Sequence, residues 1–153
     1  MMDKKITIST LIFILSVSLL YAQPEEPQQF EGFNLAGYKQ GGEKAWDVKG
    51  DTADIVGTTI TLTNIVANVY EDPHMKLTAK TGTMDQAQGL MHLEKDVVIT
   101  TETGSELKTQ SLDWEREKDL VTTEDKVMIK DEKVEAVGTG VVAHPNLKTA
   151  QMQ

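Results

Sequence analysis

At 153 residues with 39% hydrophobic content, the chain can bury one modest core and leaves no room for a second. Its 24 acidic against 15 basic residues give a net charge of −9, which disfavours the phosphate-neutralising surface that nucleic-acid binding needs. No cysteine is present, so a disulfide framework and a thiolate metal site are excluded, and the compartment has to be read from the N-terminus.

That N-terminus sets Lys4 and Lys5 before an uncharged run from Ile6 to Ala22. As a helix rising ~1.5 Å per residue the run would reach about 25 Å, near the lower limit for a bilayer span and long for the apolar core of a cleaved signal. Cleavage after Ala22 would put Leu20 where a small residue is wanted, whereas Ser9, Thr10, Ser16 and Ser18 dilute a membrane anchor. The balance favours a retained membrane anchor at 1–22. Cleavage, giving a soluble exported protein, is the alternative. In either case the lysines direct the remainder across the membrane. Residues 23–32, with Pro24 and Pro27 and no apolar period, read as a linker.

From Phe33 to Leu147 the texture is that of one all-β domain, followed by a short tail at 148–153. Segments rich in Val, Ile and Thr alternate apolar with polar, and Gly, Asp and Asn clusters separate them. The alternation predicts strands near 33–39, 45–56, 58–70, 75–86, 89–102, 105–116, 119–130 and 133–142. No stretch carries a helical stripe.

Within this pattern a unit repeats every thirty residues: Leu90 aligns with Leu120, Val97 with Val127, Ile99 with Ile129 and Met84 with Trp114. Ile60, Ala67 and Val69 hold the matching columns upstream. In "DVVIT" and "KVMIK" the pairs Val97/Ile99 and Val127/Ile129 share an apolar face, with Val98/Thr100 and Met128/Lys130 opposite. The apolar face changes parity between Leu77/Ala79 and Met84, and again between Leu107 and Leu112, which predicts a bulge or bend near Gly82 and Ser111. Stacked units would bury one continuous face that no single unit could bury alone. A parallel solenoid and an antiparallel β-jellyroll with bent strands both fit, and the tight turns favour the jellyroll. Either leaves open sheet edges. The strand "KVEAVGTGVVAHP" has no later strand to cover it, so Val137, Thr139 and Val141 are candidates for pairing with a partner.

Catalytic chemistry finds no footing. His74, His92 and His144 show neither ligand spacing nor a partner cluster, and no helix follows the paired glycines to make a phosphate loop. Asp85, Asp113, Glu115, Glu117 and Asp119 read as solvated turn or polar-face residues. Trp46 and Trp114 read as large residues closing the ends of the core in preference to ligand platforms. No enzyme activity, metal or cofactor is expected.

The segments "FEGFNLAGYKQGGEKAWDV", "NIVANVYED" and "LTAKTGTMD", the turn and L-x-T-x-x-L-x-W pattern from Gly104 to Trp114, and the closing "VGTGV" from Val137 to Val141 together resemble the LptC family of lipopolysaccharide-export components. The related LptA bridge proteins, with their OstA-like fold, share much of this texture. The resemblance implies a non-enzymatic carrier whose jellyroll shelters the acyl chains of lipopolysaccharide. It implies docking of the N-terminal edge on LptF/LptG-like transporter subunits and of the C-terminal edge on an LptA-like bridge. The groove would then be lined by Leu77, Ala79, Val97, Ile99, Leu107, Trp114, Val127 and Ile129. Two other readings compete with it: a soluble LptA-like bridge, and an exported β-solenoid scaffold that carries nothing.

Overall fold

The computed structural model describes residues 25–153, so the N-terminal anchor or signal lies outside the described residues. Among these residues nine strands follow one another: β1 (Gln28–Tyr38), β2 (Lys44–Val56), β3 (Thr59–Val69), β4 (Met75–Asp85), β5 (Leu90–Thr101), β6 (Glu106–Glu115), β7 (Leu120–Lys130), β8 (Glu135–Ala143) and β9 (Ala150–Met152). They form a single antiparallel sheet in sequence order, as short turns dictate. The solenoid alternative therefore falls. Among the described residues each strand pairs only with its sequence neighbours, and β1 does not pair with β9, so the sheet is open.

Two boundaries differ from the sequence reading. The strand β1 begins at Gln28, inside the expected linker, because Gln28 to Glu31 pair with Thr52 to Ile55 of β2. The expected tail contributes β9, whose Ala150, Gln151 and Met152 pair with Ala143, Val142 and Val141. Neither segment carries an apolar alternation of its own; in both cases the neighbouring strand supplies the ladder.

A crease crosses the sheet and divides the strands in two. It passes through Gly32 (φ 71°), Asn64 (φ 48°), Lys95 and Asp96 (φ 66° and 52°) and Gly140 (φ 78°). Pairing slips by one residue between Thr78 and Thr81, Glu94 and Val97, Lys108 and Asp113, and Thr123 and Lys126. The parity changes expected near Gly82 and Ser111 fall on this line. In β3, buried Ile60 and Leu62 give way to Ile65, Ala67 and Val69; in β4, Met75, Leu77 and Ala79 give way to Met84. In β5 and β7 the exposed triplets 94–96 and 124–126 loop out instead, and the inner face resumes on the same parity at Val97 and Val127. The crease thus recurs with the thirty-residue repeat.

Folding at the crease gives a roll with two walls. Among the described residues no helix covers the sheet, yet inner-face residues such as Val48, Ile60, Leu93, Ile99 and Leu107 are wholly inaccessible, which requires the inner face to lie against itself. The turns β2–β3, β4–β5 and β6–β7 end one wall and those of β1–β2, β3–β4, β5–β6 and β7–β8 end the other. Each row of turns is stitched lengthwise, by Gln86 N–H to Thr58 O (2.9 Å) and Arg116 N–H to Gly89 O (3.1 Å) in one, and by Tyr70 N–H to Ala45 O and Glu102 N–H to His74 O (both 2.9 Å) in the other.

Candidate functional site

The apolar interior is the candidate site, and the alternation of each strand builds it. The register sets Leu77 of β4 beside Ile99 of β5, Ile99 beside Leu107 of β6, and Leu107 beside Ile129 of β7, a row running across four strands on one face. Leu77, Val97, Ile99, Leu107 and Val127 are fully covered, Ala79 and Trp114 nearly so, and Ile129 is half-buried against the core near the β7–β8 turn. All eight residues expected to line a groove therefore belong to one interior, and that interior is packed shut. Each large side chain so covered contributes roughly 1.5–3 kcal/mol to holding the walls together.

Cover thins towards β1. Phe33 and Leu35 are half-buried against the core, and Phe30, which pairs with Ala53 on the inner face, is 45% exposed. Beside them Trp46 of β2 lies directly over Gly37 of β1, its register partner. The guanidinium of Arg116, from the β6–β7 turn of the other wall, sits over the Trp46 ring at 4.7 Å from its centre. Trp114 is buried in the core and Trp46 closes its rim, which agrees with their reading as core residues.

The edges are unequal. The outer side of β1 carries no further strand among the described residues. At the other end, Val137 and Thr139 are exposed and stand on the part of β8 that β9 leaves uncovered. Val141 is a correction to the expected partner edge: it is fully buried, paired with Thr123 of β7 on one side and with Met152 of β9 on the other. The premise that no later strand covers β8 fails for 141–143. Gly138 provides the seat for this strap, since a Cβ there would stand 2.7 Å from the Met152 sulfur.

Polar clusters flank the interior on the outer face. Asp47, 2% exposed, accepts hydrogen bonds from Asn68 Nδ2 (2.9 Å), Tyr70 Oη (2.6 Å) and Lys44 Nζ (3.4 Å). Burial alone would raise its carboxyl pKa, but the three donors outweigh burial and hold it below 3.8, while the same contact raises that of the Tyr70 hydroxyl. His92 lies between two carboxylates, Asp113 at Nδ1 and Glu94 at Nε2 (3.0 Å). The hydrogen bond to Asp113, then that to Glu94, raise its pKa above 6.5. Sequence spacing missed this cluster; the β5–β6 register that sets His92 opposite Asp113 is the signal that would have revealed it. His74 stacks on Tyr70 at 4.9 Å, and His144 Nδ1 bonds the Asp119 carbonyl at 2.8 Å. Among the described residues no group of three or more His, Cys, Asp or Glu could hold a metal ion, and no helix is long and apolar enough to cross a membrane.

No curated protein matches the chain. Among solved structures, the crystal structure of LptH, the LptA-homologous periplasmic component of the lipopolysaccharide transport device of Pseudomonas aeruginosa, is similar at 10% identity and a TM-score of 0.43, over 75% of this chain and 83% of that one. The family model for lipopolysaccharide assembly, LptC-related, matches residues 11–153. This span takes in all nine strands and the greater part of the N-terminal apolar run, and the protein belongs to the LptC-related family of lipopolysaccharide-assembly proteins.

Proposed function

We propose that the protein is a periplasmic link in lipopolysaccharide transport, held at the inner membrane by residues 1–22, that shelters acyl chains between the walls of its roll and passes them on without chemistry. The observation that carries this reading is an apolar interior that continues through successive strands of a sheet open at both edges. A second sheet added to either edge would prolong the interior. The exposed β1 edge suits LptF/LptG-like transporter subunits, and the uncovered part of β8, at Val137 and Thr139, suits an LptA-like bridge.

A packed interior is compatible with this role on energetic grounds. Moving an acyl chain of roughly twelve carbons out of water yields about 8–10 kcal/mol at ~0.8 kcal/mol per CH₂, comparable with the burial of about three to six large side chains. Lipid can therefore replace wall-on-wall contact at little net cost. Photo-crosslinking in transporting cells tests this: a crosslinker at Ile99 or Ile129 captures lipopolysaccharide, and one at Thr100 or Lys130, on the outer face, does not. Equal capture from both faces, or none from either in a folded protein, returns the choice to a scaffold that carries nothing.

A further inference from the structure

The two walls are continuous at the crease, so they can part only on the opposite side, which carries the two rows of turns and where Arg116 of one row reaches Trp46 beside the other. Hydrogen bonds run along each row, and among the described residues the polar contact that crosses between them is Arg116 on Trp46. Arg116 is the chain's only arginine. It is half-buried, and its Nε–H is hidden from solvent with no acceptor, so no anion on the described residues holds that face of the group. The flat, weakly hydrated guanidinium is suited to stacking on indole where an ammonium is less so. Trp46 is seated in its turn: a Cβ on Gly37 would stand 2.3 Å from the indole nitrogen, so only glycine admits the ring in this position. The least covered part of the inner face, at Phe30, Phe33 and Leu35, lies on the same strand as that seat.

We propose that Gly37, Trp46 and Arg116 form a clasp that keeps the walls of the roll shut, and that acyl chains reach the interior by opening it. The inference rests on the lipid-sheltering reading and adds to it the residues that gate access. Arg116 and Trp46 are positioning residues in this scheme: breaking their contact changes how fast the walls part, and leaves the apolar interior that holds the chains as it was.

Two measurements on the full-length protein separate the clasp from the reading beneath it. In the first, a crosslinker at Ile99 reports the rate of lipopolysaccharide capture after mixing. Arg116→Gln speeds capture roughly tenfold, equivalent to about 1.4 kcal/mol, with the final yield unchanged, Trp46→Leu speeds it as well, and Arg116→Lys falls between Arg116→Gln and the parent. Capture by the parent with no acceleration in the variants overturns the clasp. The second measurement needs no lipid. Because the chain has no cysteine, spin labels on cysteines introduced at Lys39 and Glu117, one in each row of turns, report wall separation directly. Arg116→Gln shifts their distance distribution to longer values. An unchanged distribution overturns the clasp whatever the crosslinking shows, while a lengthened one with no lipid capture by any form upholds the clasp and refutes the lipid reading instead.

Discussion

Gly82 offers a direct measure of how tightly the sheet is drawn together at its crease. A Cβ at this position would meet Ile65 Cδ1 at 2.7 Å, the His92 carbonyl oxygen at 2.8 Å and Leu93 Cδ2 at 3.0 Å. The two side chains can turn aside, but the carbonyl belongs to the ladder that pairs Gly82 with Leu93 and cannot. Reaching an ordinary contact therefore requires β4 and β5 to part by about half an ångström, and overpacking of this kind costs roughly 1–3 kcal/mol. At this size each kcal/mol moves the midpoint of thermal unfolding by roughly 3–5 °C, so Gly82→Ala lowers Tm by about 3–15 °C. Far-UV circular dichroism against temperature measures it. Gly41→Ala is the control, because nothing lies within 4 Å of a Cβ there and its φ is not positive, and its effect stays within about 0.5 kcal/mol. A Gly82→Ala Tm indistinguishable from that of Gly41→Ala would refute the close approach of β4 and β5.

Two titratable clusters give further expectations. His92 has a folded pKa above 6.5, so the stability it contributes is fully present below pH 6.5 and is lost as pH rises through the raised folded value. An NMR titration of its ring protons shows the raised pKa, and Asp113→Asn lowers it more than Glu94→Gln does; a value at or below 6.5 that neither change moves contradicts the pairing. Asp47, with its pKa held below 3.8, contributes stability that is present above that value and lost as pH falls through the folded pKa. Asp47→Ala takes the shared acceptor from Asn68, Tyr70 and Lys44, none of which is buried, and costs about 1–2 kcal/mol in denaturant unfolding near neutral pH; a loss below about 0.5 kcal/mol would mean that water replaces the carboxylate at no penalty.

Much of the fold is legible in the chain because each strand states its own inner face. The thirty-residue repeat, the alternation in β3 to β8 and the parity changes in β4 and β6 follow from side-chain sterics acting over a few residues. What escapes is whatever depends on a distant partner. The polar stretch at Gln28–Glu31 and the three residues of β9 become strands only because β2 and β8 offer ladders to them. Lys95 and Asp96 take positive φ with no glycine to announce it, since the strand must lose two residues there to keep its apolar face inward. The eight interior residues were legible as one face, whereas the burial of all but Ile129 was not, because a strand's pattern reveals which side is covered and says nothing of what covers it. Arg116 on Trp46 joins residues far apart in sequence and leaves no local trace.

The sheet's habit of pairing each strand with its sequence neighbours alone bears on how such a chain can evolve. A closed barrel fixes its strand number through tilt and shear, so one strand more or less must be absorbed around the whole circumference. Here no circumference exists. Duplicating one hairpin of thirty residues would lengthen the roll by two strands and leave every other pair, and both edges, as they were. A single added strand, in contrast, would reverse the direction of everything downstream and exchange the two rows of turns. Gains and losses of length should therefore come in whole hairpins, like links in a chain, with the crease reproduced in each new copy.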